Sequence, residues 1–118
     1  MGDVELAMAF YALAAERWPN SKPVLTALAN AALTQGDASL AVDLFGQLLQ
    51  TNSDDPALWN NYAFALLENN CGSDAVLAID QAVKLADNNP AFEQSRNEIM
   101  TSKESKNQQC AGVLLPSH

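Results

Sequence analysis

The chain has 118 residues, 48% of them hydrophobic and 17% charged, with a net charge of −8. That describes a folded chain of about one domain, long enough to bury a core without staples. Over residues 1–100, 13 acids stand against 4 bases, a balance that repels a phosphate backbone, argues against nucleic acid and favours neutral or basic partners.

The first predicted element is a helix over 3–17. From Leu6 to Ala15 it carries no charge, and its one polar atom is the Tyr11 hydroxyl. A helix that is apolar all round is normally buried all round. Its apolar run of about ten residues is too short to span a bilayer, so no membrane insertion is expected. No basic segment precedes it to make a signal peptide, and Leu6 stands where a myristoylation signal needs Ser or Thr. The compartment stays open, cytoplasmic by default and periplasmic if a leader has been lost.

The next two elements form a pair. "PVLTALANAALTQ" (23–35) places apolar residues at 24, 25, 28, 32 and 33, the helical period, and Gly36 ends it. "ASLAVDLFGQLLQ" (38–50) resumes the period at 40, 41, 44, 45, 48 and 49. "TNSDD" breaks it, with Asp54 and Asp55 suited to turn and N-cap roles, and Pro56 opens the following helix. "ALWNNYAFALLE" and "SDAVLAIDQAVKLA" then repeat the same two helices. No long stretch alternates apolar and polar residues as a sheet would.

One register of 34 residues relates these copies. It pairs Ala7, Ala41 and Ala75; Tyr11, Phe45 and Ile79; and Ala14, Leu48 and Ala82. It also pairs Leu25 with Trp59, Leu28 with Tyr62, Ala29 with Ala63, Ala32 with Leu66, and Pro56 with Pro90. The small residues Ala29, Ala41, Ala63 and Ala75 fall where paired helices must approach closely. The first copy holds only the second helix of a pair (3–17), followed by full repeats over 22–55 and 56–89. A final helix over 90–103 carries Glu93, Arg96 and Asn97 at the close-packing positions, with Phe92, Ile99 and Met100 expected to face inward, as a capping helix requires. Residues 104–118 are expected to be a frayed tail, with "AGVLLP" (111–116) folding back on a groove as the alternative.

These residues resemble the tetratricopeptide repeat family, whose pattern reads Trp-x2-Leu-Gly-x2-Tyr, then Ala-x3-Phe, then Ala and Pro. Here it reads Trp59-x2-Tyr62-Ala63-x2-Leu66, then Ala75-x3-Ile79 and Ala82. The resemblance implies an all-α fold, a short superhelix of about six helices in antiparallel pairs. It also implies a concave groove lined by the first helix of each pair. The matching positions include Thr26 and Asn30, Asn60, Asn61, Phe64 and Glu68, with Leu33, Thr34, Leu67, Gln94 and Glu98 beside them. Side-chain amides there would pair with a peptide backbone. Phe64 would either anchor a ligand or pack on Ala27, Leu33 or the tail. Chaperone-binding members hold a terminal carboxylate with two asparagines and three basic residues. Asn30 and Asn61 fall at the asparagine positions, but Thr26, Ala91 and Ser95 stand at the basic ones, so that role is not expected. "AERWPNSKPVLTALANAAL" and "ALWNNYAFALLE" are also similar to the C-terminal repeat module of some bacterial cysteine-peptidase-like proteins, though the chain holds no catalytic motif of theirs.

Chemistry is sparse. The sole histidine is the terminal His118, and no phosphate loop or metal-ligand spacing occurs. No catalytic residue, metal site or cofactor is expected, and the chain reads as a non-enzymatic module for a protein or peptide ligand. Cys71 and Cys110 lie 39 apart without a Cys-x-x-Cys and are expected to be unpaired thiols. Trp18 is expected to pack under the loop between repeats, with a partner contact as the alternative. Two other readings stay open: an accessory fragment of a larger protein, and a homodimer in which a second copy covers the N-terminal helix through Leu6, Phe10, Tyr11 and Leu13.

Overall fold

A computed structural model of the protein describes residues 2–87, 89–102 and 110. Six helices follow one another among the described residues: α1 (Gly2–Arg17), α2 (Lys22–Thr34), α3 (Ala38–Leu49), α4 (Pro56–Glu68), α5 (Gly72–Leu85) and α6 (Pro90–Ser102). Each packs on its neighbour in sequence, and α4 also touches α6. The predicted all-α array of helix pairs is the architecture observed.

The 34-residue period governs backbone chemistry as well as side chains. The Ser21 hydroxyl accepts from Val24 N at 3.3 Å, the Asp55 carboxylate from Ala57 N at 3.0 Å and the Asn89 amide oxygen from Ala91 N at 2.9 Å. These three side chains cap α2, α4 and α6 one period apart, each satisfying a helix-start donor that has no partner within the helix. The turns inside the pairs repeat too. Gly36 N bonds Leu33 O at 3.1 Å and Asp37 N bonds Ala32 O at 2.8 Å; Asn70 N bonds Leu67 O at 3.0 Å and Cys71 N bonds Leu66 O at 2.8 Å. Both turns need a left-handed residue, supplied by Gly36 (φ 90°) and Asn70 (φ 63°).

The core runs through the middle of the array. Ala29, Ala41, Ala63 and Ala75 are fully buried, as close helix approach demands. Trp59 and Tyr62 meet edge to face at 6.0 Å inside α4, and the Trp59 indole N–H donates to Ser53 O at 2.8 Å. Among the described residues, ion pairs link Lys22 of α2 to Asp55 at the start of α4 at 2.7 Å, and Arg96 of α6 to Asp80 of α5 at 2.6 Å.

The two ends differ. On α1, Met8, Tyr11 and Ala15 pack against the core, while Leu6, Phe10 and Leu13 are 70%, 66% and 67% exposed. On α6, Ile99 is buried and Phe92 packs against the core, with Glu93 and Asn97 exposed.

Three expectations need correction. Met100 is exposed rather than inward-facing. It occupies the position of Leu66 one period earlier, on the side where α4 meets its paired helix α5. Trp18 is 55% exposed, with the Arg17 guanidinium 5.5 Å from the ring centroid, so its face is covered by a cation rather than by a loop. Cys71 and Cys110 are not free thiols: they form a disulfide with Cα atoms 5.7 Å apart. The long sequence separation hid a close approach created when α6 runs back alongside α5. The fold-back expected of 111–116 lies outside the described residues.

Candidate functional site

The face built from α2, α4 and α6 is a grid. Its rows are set by the period: Thr26, Asn60, Gln94; Ala27, Asn61, Ser95; Asn30, Phe64, Glu98; Leu33, Leu67, Thr101. Thr26, Asn60, Asn61 and Phe64 are half-buried, whereas Asn30, Glu68, Gln94 and Glu98 are exposed. Phe64 packs against the core from this face. An open depression on α6 is lined by Gln94, Asn97, Glu98, Thr101 and Ser102. Of the helices that carry the sequence-predicted groove residues, α4 and α6 touch each other directly.

Hydrogen bonding decides what this surface offers. The hydroxyls of Thr34, Ser95 and Thr101 donate to the carbonyls of Asn30, Ala91 and Asn97 in their own helices. They meet a ligand as acceptors. The amides of Asn30, Asn60, Asn61 and Gln94 carry both donors and acceptors. Asn60 Nδ2 reaches Asn61 Oδ1 only at a long 3.5 Å, and Asn60 Oδ1 is buried without a hydrogen-bond partner. Such an atom is costly to leave unpaired, by about 1–3 kcal/mol. None of the face residues named is basic.

The N-terminal residues Leu6, Phe10 and Leu13 form a separate apolar strip. Tyr11 stands apart from it, packed toward the core with its ring edge to face against Phe10 at 5.5 Å.

At the edge of the grid, Asp55 joins the starts of α2 and α4. Burial pushes its carboxyl pKa up, but the Lys22 hydrogen bond and charge, with the Leu58 and Ala57 amides, outweigh that and hold it below the ordinary 3.8.

A third cluster escaped the sequence reading. Asp74, in the first turn of α5, is 1% exposed and accepts a 2.8 Å hydrogen bond from the Cys110 backbone N–H. The ligand-type atoms of Cys71, Asp74 and Cys110 lie within 4.8 Å of one another, with both sulfurs committed to the disulfide. A signal was present: Cys71 stands one period after Asp37, whose carboxylate caps α3 through Leu40 N at 3.2 Å.

Residues 32–99, more than half of the chain, match the family model described as tetratricopeptide repeat. No curated protein matches the chain. Repeats of this family generally mediate protein–protein interaction. The matched span carries the same 34-residue period as the caps and turns, and the chain belongs to the tetratricopeptide repeat family.

Proposed function

We propose that this chain is a non-enzymatic interaction module that binds a neutral or basic peptide segment across the α2, α4 and α6 face. The observation that carries the reading is the unpartnered Asn60 Oδ1 beside Asn61 and Phe64. A peptide N–H that draws the Asn60 amide round would recover the unmade hydrogen bond. Phe64 supplies the apolar contact that anchors interfaces. The net charge of −8 disfavours acidic ligands. The test is an array of short peptides spanning basic, neutral and acidic compositions, with hits remeasured by calorimetry against Asn60→Ala and Phe64→Ala. Neutral or basic hits weakened tenfold or more by either substitution support the reading. Binding indifferent to both substitutions, or an array without hits, ends it.

A second reading has its own observation. Leu6, Phe10 and Leu13 are each about two-thirds exposed on one strip, and covering each would gain about 1.5–3 kcal/mol. A second copy of the chain is the occupant we favour. Light scattering over a concentration range should give a dimer, and Phe10→Asp should give monomer or aggregate. An unchanged oligomer with an unchanged melting temperature sinks it.

A further inference from the structure

From the Cys71, Asp74 and Cys110 cluster we infer that the disulfide is a reversible thiol–disulfide switch. It is opened by attack of an external small thiol on Cys110, and its opening releases position 110 from the start of α5.

The two cysteines differ in exposure. Cys71 is fully buried, whereas Cys110 is only partly buried. An incoming thiolate therefore reaches Cys110 Sγ. The new S–S bond forms there, and the electron pair of the old bond leaves on Cys71 Sγ. A second external thiol then attacks the mixed disulfide and leaves as the small-molecule disulfide, with Cys110 set free. Two external thiols are oxidised, two cysteines are reduced, and the two protons end on Cys71 and Cys110.

The leaving sulfur is well placed. Cys71 is the N-cap of α5 and makes no side-chain cap hydrogen bond while it is bridged. Asp37 holds the same position one period earlier and caps α3 with an anion. A released Cys71 thiolate occupies that anion-favouring position, which lowers the barrier to its departure. The thiolate then takes up a proton, which leaves Cys71 as a thiol. The thiol also has a partner waiting: Cys71 Sγ lies 3.3 Å from Asn69 O, which accepts from an S–H and gains nothing from a bridged sulfur. Both redox states are thus accommodated at Cys71. The open state loses something elsewhere, because the buried Asp74 carboxylate no longer holds the Cys110 N–H.

The test uses the whole 118-residue chain in native buffer at graded ratios of reduced to oxidised glutathione. Samples are acid-quenched, alkylated and weighed intact, and adducts are located by peptide mapping. The expected result is a reversible two-state titration without denaturant, with any trapped glutathione on Cys110. The helical circular dichroism signal should persist on reduction, while the amides of Asp74 and Ala75 exchange at least tenfold faster. The Cys71→Ser variant, which keeps a capping side chain, should take up one glutathione on Cys110. A bridge that resists glutathione until denaturant is added, an adduct on Cys71, or loss of the helical signal on reduction would each overturn the switch in favour of a permanent staple.

Discussion

The indole N–H of Trp59 donates to the carbonyl of Ser53 at 2.8 Å, tying the core of α4 to the turn that precedes it. Trp59 is buried, so the ring fills space and the N–H closes the turn at once. Trp59→Phe keeps most of the ring but deletes the donor, and should cost about 1–2 kcal/mol. Trp59→Ala should cost about 3–5 kcal/mol. Urea unfolding followed by circular dichroism measures both; a Trp59→Phe variant as stable as wild type would mean the hydrogen bond contributes nothing.

Ala63 has no exposed surface where α4 meets α5. A longer side chain there must push the axes apart, because close-packed interiors hold no spare volume. Ala63→Leu should destabilise by about 1–3 kcal/mol. Ala57→Leu, at an exposed position in the same helix, should change stability by less than about 0.5 kcal/mol. Thermal melts of the pair separate overpacking from helix propensity.

Asp55 gives a pH test. Its folded pKa is depressed, so its charge stabilises the fold above the ordinary 3.8, and that contribution disappears as pH falls through the lower folded value. Asp55→Asn keeps a good N-cap and removes only the charge. With the Lys22 side chain 47% exposed, the loss at pH 7 should be a few tenths of a kcal/mol, shrinking with added salt. Melting curves of wild type and variant should converge near pH 2. A gap that widens on acidification would reverse the assignment.

Much of this architecture was legible because each repeat states its own beginning and end. Ser21 and Asp55 announce helix starts, Gly36 announces a stop, and the alanines mark close contacts; all of these are local signals at fixed spacing. The all-α fold follows from that period, which also sets Asn60 and Phe64 at the positions that Thr26 and Asn30 hold one repeat earlier. The disulfide did not, because bridging Cys71 to Cys110 depends on how the chain returns after α6, which no local pattern encodes. Size alone predicts burial for Trp18, whereas the neighbouring Arg17 covers one ring face and leaves the rest in water. Asp74 shows no metal-ligand spacing with Glu68 or Asp80 in the sequence, and its burial beside Cys110 distinguishes it only in the fold.

Glu93, Arg96 and Asn97 of α6 occupy the positions that Trp59, Tyr62 and Ala63 hold in α4. Those α4 residues are buried, whereas Glu93 and Asn97 face solvent. The described face that a further helix would meet there is largely polar, with Met100 its exposed apolar side chain. The apolar strip of Leu6, Phe10 and Leu13 lies on α1, at the other end of the packing order. Head-to-tail stacking of copies would need both surfaces to be adhesive, and the exposed Glu93 and Asn97 weaken the one on α6. If a second copy covers α1 as proposed, the contact would be strip against strip, a two-fold contact that consumes the adhesive surface of both molecules. Such a pair would be closed, and the asymmetry of the two ends would guard a sequence built from stackable repeats against growing into fibres.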